Sequence, residues 1–503
     1  MVAKIMTVAP IGFDGAIIEV ESDAKKGLPA IQIVGMGNKS IDEAKERVRS
    51  AISNSLLEFP SKKITINLAP AELPKDGAHF DLPIALSILI SSGQLQQREV
   101  DGAVFAGELA LDGSLRPIKG SINITEAARD AGYSKVYVPK ENAEQACMVE
   151  GIEVIGIINL KQIYLHLKAE SILTPTTNSY TPQTTRRLAS TLDEIHGQEQ
   201  AKRALIIAAA GRHNILFNGP PGAGKTMLAK TLVSLLPPLS STEQIATTKL
   251  HSMAGEIDGE IISNRPFRAP HHTASRIAIT GGGAKPKPGE ISLAHLGVLF
   301  LDEMPEYPRS TLETLRQPLE DRTISVSRAN GRVTYPADFM LVATMNPCPC
   351  GYYGDSAKEC SCSSMQILHY QQRISGPLLD RIDMIVTVTR IENESLLTIS
   401  SIENSQHIDA VNFIKKATSI QRNRYKSSDK YNASLTSKEV TRLVAISNEA
   451  KQLLSTATEK LNLSARSYFK VIKVARTIAD LAGDEQVQAI HISEALQYRG
   501  SIS

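Results

Sequence analysis

The stretch HNILFNGPPGAGKT, residues 213–226, decides the fold class of this chain. A β-rich run, His213–Asn218, leads into a glycine-rich segment, and a helical pattern, Met227–Leu236, follows it. The glycine-rich segment fits GxxxxGK[ST], the pattern of a phosphate-binding loop between a strand and a helix. We therefore expect this part of the chain to form an α/β domain with a parallel sheet.

The residue types of the loop suit a nucleoside triphosphate. Glycines allow backbone N–H groups to surround phosphate oxygens, and the N-terminus of the following helix adds partial positive charge. Lys225 is predicted to reach the β- and γ-phosphates, and Thr226 to offer its hydroxyl to Mg²⁺. The predicted nucleotide-binding residues are Gly219, Pro220, Pro221, Gly222, Ala223, Gly224, Lys225 and Thr226.

Two later apolar runs end in polar residues. Leu296–Leu301 precedes Asp302 and Glu303, and a run over 339–345 precedes Asn346. Alone, each run is typical of an ordinary core strand, but ligands bind at the carboxyl ends of parallel strands. We predict that Asp302 holds Mg²⁺, largely through water, and that Glu303 and Asn346 act on the attacking water. Together with the loop, these residues predict a nucleotide hydrolase.

Composition limits the other function classes. Hydrophobic residues make up 42% of the 503 residues and charged residues 21%, which is typical of a packed protein and excludes a mostly disordered one. The formal net charge is only +2, so any nucleic-acid site must come from local clustering. No apolar run reaches the ~18 residues of a membrane span, and the N-terminus does not resemble a signal peptide. We expect a cytoplasmic protein without membrane contact.

The chain divides into three blocks and a linker. Residues 1–168 alternate strand and helix patterns, and 169–187 form a linker rich in Thr and Pro that cannot bury a core. Residues 188–392 hold the phosphate loop and its strands. From 393 to 503 the pattern is helical, without strand signals.

The motifs GPPGAGKT, VLFLDE and ATMNP resemble those of AAA+ ATPases. FRAPHHTASRIAITGGG (267–283) and RISGPLLDRID (373–383) are similar to the Mg-chelatase-like branch, and nearly the whole chain resembles the ComM/YifB family of bacterial proteins. The resemblance implies an AAA+ ATPase core, a C-terminal helical lid and an N-terminal domain like that of Lon proteases. It also implies a homo-hexamer that uses ATP and Mg²⁺.

The resemblance assigns roles to two arginines. Arg381 matches the arginine finger that enters a neighbouring subunit's site, and Arg373 is the weaker candidate for that role. Arg466, in LSARSYFK, matches a sensor arginine that contacts the γ-phosphate from the lid; the alternative is a solvated helix face. Lys470 and Lys473 lie on the same helix face, and we expect them to be solvated.

The N-terminal block resembles a protease without its catalytic pair. PKDGAHFDLPIALSILIS (74–91) and GELALDGSLRPIKGSI (107–122) carry the resemblance to Lon. A Lon protease needs a serine nucleophile and a lysine base within hydrogen-bond reach. The serine position falls on His79 and the lysine position on Ile122, so we expect an assembly or DNA-contacting platform rather than a protease.

Two basic segments are candidate DNA contacts. The first, 325–335, predicts a β-hairpin because Asn330-Gly331 is a strong two-residue turn signal, which would carry Arg328 and Arg332 to the tip. In the resembled branch the matching hairpin lines a hexamer channel; a plain surface hairpin is the alternative. The second, 254–294, is expected to be a mobile loop that contacts phosphates. Its candidate residues are Arg265, Arg268, Lys285 and Lys287.

Four of the five cysteines form a CxC…CxC pattern. Cys348, Cys350, Cys360 and Cys362 can make a closed tetrahedral Zn²⁺ site, although the spacing is tighter than the usual CxxC. Reduced thiols on a loop are the alternative, and a disulfide is disfavoured in the cytoplasm. The pattern starts two residues after Asn346, so a metal there would brace the active site.

These observations predict a hexameric DNA motor driven by ATP. The resemblance implies branch migration, as a helicase or translocase, during natural transformation or homologous recombination. The alternative is a chelatase-type ATPase that remodels a partner protein or a metal-insertion complex. An ATP-dependent protease is the third possibility, and it lacks its catalytic pair.

Overall fold

A computed structural model of the chain describes residues 2–35, 39–73, 75, 77–177, 190–257, 259–283, 287–328, 331–355, 358–390 and 405–499. Among these residues, no helix combines the length and the apolar character that crossing a bilayer requires. The predicted turn residue Asn330, the predicted DNA contact Lys285 and the predicted boundary at 392 lie outside the described ranges.

The N-terminal part is built on one mixed sheet. Its strands are β1 (Ala3–Ile11), β2 (Asp14–Lys25), β3 (Ala30–Val34), β4 (Lys63–Ala69), β5 (Ala103–Phe105), β8 (Lys135–Pro139) and β9 (Glu153–Ile157), with a separate ribbon of β6 (Glu108–Leu109) and β7 (Leu115–Arg116). The sheet order is β3-β4-β2-β1-β5-β8-β9. The pairs β1–β2 and β2–β4 are antiparallel, and the others are parallel.

Helices cover this sheet. They are α1 (Lys39–Asn54), α2 (Asp81–Ser91), α3 (Ser121–Asp130), α4 (Lys140–Ala146) and α5 (Leu160–Leu167). Helix α2 is apolar on all sides and is buried along almost its whole length, as expected for a helix that packs inside a domain. The start of the predicted linker also belongs here, because the N–H of Thr176 donates to the carbonyl of Val154 at 2.8 Å.

The second sheet is fully parallel and lies in the central part. Its strands are β10 (Ile215–Asn218), β11 (Phe267–Arg268), β12 (Val298–Leu301), β15 (Met340–Met345) and β16 (Met384–Thr387), in the order β11-β12-β15-β10-β16. All residues of β12 and β15 are buried, as their continuous apolar sequence predicts. A separate antiparallel hairpin pairs β13 (Thr323–Arg328) with β14 (Gly331–Pro336).

Helices on both faces complete the central part. They are α6 (Glu199–Gly211), α7 (Lys225–Leu235), α8 (Ser241–Ala254), α9 (Arg276–Thr280), α10 (Glu290–Leu293), α11 (Arg309–Glu313), α12 (Arg316–Asp321), α13 (Ser364–Gln371) and α14 (Gly376–Leu379). Helix α8 starts with a capping box, in which Ser240 and Glu243 bond each other's backbone N–H groups. The alternation of strands and helices confirms the predicted α/β class.

The C-terminal part is helical in its described residues, as predicted. Its helices are α15 (Ser405–Tyr425), α16 (Ser437–Leu443), α17 (Asn448–Lys460), α18 (Ala465–Ala482) and α19 (Ala489–Gln497). Helix α18 begins after the capping residue Ser464 and ends at Gly483, which has a left-handed φ of 85°. Apolar residues of these helices share one core with α6, α7 and one face of the parallel sheet.

Candidate nucleotide site and its surroundings

The glycine-rich loop lies at the carboxyl edge of the parallel sheet. Strand β10 ends at Asn218 and α7 begins at Lys225, which confirms the predicted strand–loop–helix unit. Gly222 and Gly224 have φ values of 78° and 76°, a left-handed conformation that glycine adopts without steric cost. Among the described residues, adjacent ones aside, no atom lies within 4 Å of the point where a Cβ would stand at either glycine. The space beside this backbone is therefore open to a ligand.

The side chain of Lys225 folds back against the loop. Its ammonium donates to the carbonyls of Gly219 and Pro220, the latter at 3.2 Å, and to Oδ1 of Asn346 at 2.8 Å. Only 8% of the residue is exposed. Burial lowers the pKa of Lys225 to about 8, although the carboxylates of Asp302 and Glu303 oppose the shift. The structure thus brings Asn346 to the lysine of the phosphate loop.

The two acids after β12 are fixed by a residue that sequence analysis did not single out. The hydroxyl of Thr344, a buried residue of β15, donates to Oδ1 of Asp302 at 2.6 Å and accepts from the N–H of Glu303 at 2.9 Å. Glu303 has a positive φ of 50°, a strained state that persists where surrounding contacts impose it. A threonine in the otherwise apolar β15 was the available sequence signal.

The oxygen atoms at this edge suit a magnesium–nucleotide complex. The hydroxyl of Thr226 donates to Oδ2 of Asp302 at 3.3 Å, and both residues are exposed. Mg²⁺ prefers oxygen ligands and usually keeps several waters. The predicted magnesium ligands therefore lie next to each other, beside the open backbone of the phosphate loop.

Arg381 lies at the opposite, amino edge of the sheet. Its carbonyl accepts from the side chain of Asn214, which directly precedes β10, whereas Lys225 follows the far end of that strand. The four residues of β10 span about 13 Å. The guanidinium of Arg381 donates to the carbonyl of Arg316 at 3.0 Å and forms an ion pair with Glu320. The structure does not bring Arg381 to the phosphate loop of its own chain.

Arg466 shares this amino-edge location. Its guanidinium lies 3.7 Å from the carboxylate of Glu320, so Glu320 faces both Arg381 and Arg466. The three side chains line a cavity of about 430 Å³ together with Lys470 and Lys473. Arg466 therefore does not face the phosphate loop of its own chain either, contrary to a sensor that acts within one subunit.

The prediction that Lys470 and Lys473 are solvated is wrong. Lys470 donates to the carbonyl of Ile382 at 2.9 Å and Lys473 to that of Ala433 at 3.1 Å. Burial lowers the pKa of both lysines. Packing of α18 against the central part covers Lys470, and the turn that holds Ala433, within the C-terminal part, covers Lys473.

Arg373, the weaker finger candidate, lies elsewhere. Its guanidinium donates to Glu306 at 2.9 Å, within the turn that follows Glu303. It therefore stands near the acid pair rather than in the amino-edge cavity.

The structure contradicts the predicted DNA contact of Arg265. Its side chain is buried and donates to the carbonyls of Pro237 and Leu296, both at 2.6 Å, and to Glu243. Arg268 is similarly held by two carboxylates, those of Glu256 and Glu290, at 2.7–3.0 Å. Both cations stabilise the fold, which removes them from a phosphate-binding surface.

The rest of the second basic segment is more ordered than predicted. Residues 254–294 include β11, α9 and α10 rather than one mobile loop. Lys287 is exposed, and its backbone pairs with Gly282. Of the predicted phosphate contacts in this segment, Lys287 is the exposed one among the described residues.

The predicted hairpin is present, with a shifted turn. Arg328 pairs with Gly331, so Gly331 is the first residue of β14 rather than a central turn residue. The side chain of Arg328 is outside the described part. Arg332 is exposed and donates to the hydroxyl of Ser325 at 3.1 Å. Tyr335, at the base, is fully buried in a core that also includes residues of β12 and β15.

The four cysteines of the predicted metal site converge. Their Sγ atoms all lie within 4.8 Å of one another, and none of the four forms a disulfide. Cys348 is buried and the other three are partly exposed. The geometry is that of a group of donors able to surround one ion.

The side of the N-terminal part that carries Ile122 is buried against the central part. Ile122, at the lysine position of the resembled proteases, is fully buried and packs with Met148 and Val149 and with Ile245 of α8. Glu126 of α3 forms an ion pair with Lys249 of α8, and the N–H of Gly120 donates to the hydroxyl of Ser252 at 3.1 Å. Helix α3 is therefore docked on α8.

Comparisons with known proteins agree with this architecture. Family models match three segments: "Magnesium chelatase, subunit ChlI" over residues 191–396, "Subunit ChlI of Mg-chelatase" over 20–142, and "Magnesium chelatase, subunit ChlI C-terminal" over 403–499. Lon protease 2 of Bacillus subtilis is 27% identical over 179 residues, which are 31% of this chain and 32% of that protein.

Several relatives match along the whole chain. Competence protein ComM of Haemophilus influenzae is 41% identical over 505 residues, covering 99% of this chain and 98% of that protein. The protein YifB of Escherichia coli is 40% identical over 509 residues, covering 98% of this chain and 96% of that protein. The chain belongs to the ComM/YifB family of Mg-chelatase-like AAA+ proteins.

Proposed function

We propose that the protein hydrolyses ATP at the carboxyl edge of its parallel sheet. The observation that carries this proposal is the convergence of Lys225, Asn346, Asp302 and Glu303 beside the open glycine backbone. Lys225 binds the β- and γ-phosphates and Asn346 holds its ammonium toward them. Glu303 accepts a hydrogen bond from the attacking water and polarises it.

Thr226 and Asp302 are the proposed Mg²⁺ ligands. When bound, this ion would neutralise charge on the phosphate oxygens. Thr344 keeps the carboxylate of Asp302 oriented and fixes the backbone turn at Glu303. Zn²⁺ at the four-cysteine cluster completes the proposed set of bound ions.

The site is shared between subunits of a ring, which we infer to be a homo-hexamer. Arg381 and Arg466 lie together at the amino edge, about one strand length from their own phosphate loop, so both are positioned for a neighbour's triphosphate. An arginine finger accelerates phosphoryl transfer about 10³–10⁵-fold.

Mixing two inactive variants tests this sharing. Arg381→Ala and Lys225→Ala should each abolish turnover, and mixed rings should regain part of it through interfaces that combine intact halves. Lack of rescue in mixed rings, verified by mass analysis, counts against a site completed by the neighbour.

The work performed by the ring is proposed to be movement of DNA. The relative ComM is named a competence protein, which supports a role in natural transformation or recombination, and we propose branch migration as the reaction. The hairpin supports this role because its base is anchored in the core while Arg332 remains exposed. Several such arginines in a ring would grip phosphates without reading sequence.

The deciding experiment compares ATP turnover without DNA and with single-stranded, duplex and branched DNA. A DNA motor should be stimulated by at least one of these, and branched DNA should be processed to separated products. ATP turnover indifferent to every DNA would favour the second candidate, a chelatase-type ATPase that remodels a partner protein. The match of all three family models to a magnesium chelatase subunit is the observation that favours this alternative.

A further inference from the structure

The distances within the four-cysteine cluster fit a tetrahedral metal rather than disulfides. Sγ of Cys348 lies 3.3 Å from that of Cys350 and 3.6 Å from that of Cys360, and Cys350 and Cys360 are 3.6 Å apart. A disulfide requires about 2.05 Å. Four thiolates at the Zn–S distance of about 2.3 Å stand about 3.8 Å from one another in a tetrahedron.

Backbone N–H groups point at the sulfur atoms. The N–H of Tyr353 donates to Sγ of Cys348 at 3.3 Å, and that of Cys362 to Sγ of Cys360 at 3.5 Å. Such bonds orient metal-bound ligands and stabilise their negative charge. The chemistry of the donors favours Zn²⁺, which thiolates bind in closed structural sites.

The cysteine loop packs directly on the phosphate loop. At Gly351, which has a φ of 85°, a Cβ would stand 2.6 Å from Cδ of Pro221. Only glycine fits this approach. Cys348 also follows Asn346 by two residues, and Asn346 holds the ammonium of Lys225. The position of the cysteine loop therefore determines the positions of the phosphate loop and of Asn346, the partner of Lys225.

The same loop contacts the chain beyond β16. Asp355 forms an ion pair with the guanidinium of Arg390, at 3.2 Å, and that guanidinium lies 5.3 Å from the ring centre of Tyr352. Arg390 is the last described residue before the helical C-terminal part begins at 405. The loop thus links the phosphate loop to the segment that leads to the lid.

We propose that the four cysteines bind one Zn²⁺, and that this ion holds the cysteine loop against Pro221 so that the protein binds ATP tightly. The coupling rests on the proposed function, because it requires the phosphate loop to bind ATP. The metal site itself does not depend on that function.

Metal content and ATP affinity of the full chain test the two statements separately. Protein purified without added zinc should hold about one Zn²⁺ per chain by elemental analysis. The double variant Cys360→Ser/Cys362→Ser should lose the zinc, whereas Cys147→Ser, a cysteine outside the cluster, should keep it. Absence of zinc, with four thiols titrating freely in the folded protein, would overturn the metal site.

A glycine pair tests the coupling without touching a ligand. Gly351→Ala should keep the zinc but weaken binding of a fluorescent ATP analogue at least about tenfold, the effect of disturbing one hydrogen bond to a charged group. Gly354→Ala is the matched control, since Gly354 has a similar φ of 78° and no atom within 4 Å of a Cβ. Equal ATP affinity in both variants would overturn the coupling.

Failure of the proposed function gives a different result. A parent protein that holds zinc but binds no ATP would refute ATP hydrolysis and the coupling, while the metal site would stand. Circular dichroism of each variant distinguishes loss of the fold from loss of either ligand.

Discussion

Raising the pH from 7 to 9 should weaken ATP binding, because the ammonium of Lys225 loses its proton in this interval. Burial lowers the pKa of this lysine to about 8, and the nearby carboxylates of Asp302 and Glu303 only partly offset the effect. In the nucleotide-free protein, about nine-tenths of the lysine is protonated at pH 7 and about one-tenth at pH 9.

The size of the effect follows from these fractions. Phosphate oxygens beside the ammonium raise its pKa in the complex, so the protonated form is the one that binds. The apparent ATP affinity should therefore fall about tenfold between pH 7 and pH 9, with proton uptake on binding above pH 8. Ionisation of the terminal phosphate cannot mimic this fall, since it occurs near about pH 6 and favours binding.

Titration calorimetry at constant ionic strength and saturating Mg²⁺ measures the ATP affinity. Repeating it in buffers of different ionisation enthalpy measures the proton uptake. Lys230→Ala is the control, because Lys230 lies exposed on the same helix α7 and its loss should leave the pH profile unchanged. An ATP affinity that is constant or rises from pH 7 to 9 would refute the assignment of a desolvated Lys225.

Three further predictions concern the acid pair, the hairpin and the docked face. Glu303→Gln should bind ATP like the parent but release no phosphate, since the water loses its polarising group; normal turnover would contradict that role. Arg328→Ala/Arg332→Ala should bind DNA more weakly and with a shallower salt dependence, while basal ATP turnover stays unchanged; parent-like binding across a salt titration would make the hairpin purely structural. Ile122→Lys buries a charge at a fully buried position and should lower the free energy of unfolding by more than about 3 kcal/mol, against about 1 kcal/mol for Ile122→Val. Denaturant titration measures both, and equal midpoints would show that the face tolerates charge.

The nucleotide site was predictable because its signals are local. Each signal occupies a short stretch of sequence. One is the glycine pattern, and the others are the apolar runs of β12 and β15 with the polar residues directly after them. Parallel strands then bring their carboxyl ends to one edge, so Lys225 and Asn346 meet although 121 positions separate them. Thr344 was not predicted, because the sequence does not show which groups the hydroxyl of a single threonine in a buried strand bonds.

The basic side chains were predicted less well, because charge alone does not reveal a partner. Arg265 and Arg268 bond to Glu243 and Glu290, each 22 positions away, and such pairs depend on how the helices pack. The local sequence does not distinguish an arginine that binds a buried carboxylate from an arginine that binds a phosphate. For the same reason, helical periodicity placed Lys470 and Lys473 on one face correctly but did not reveal that carbonyls of Ile382 and Ala433 hold them.

Because α3 packs on α8, the stability of the N-terminal domain should depend on whether nucleotide is bound. Helix α8 follows α7 after a short connection, and α7 starts at the phosphate loop. Separation of α3 from α8 exposes the apolar contact of Ile122 with Ile245 to water. Local unfolding of one domain therefore lowers the stability of the other. ATP that binds only the folded core shifts both equilibria by mass action. Amide protons of α3 should therefore exchange more slowly when ATP is bound, although no nucleotide touches that helix.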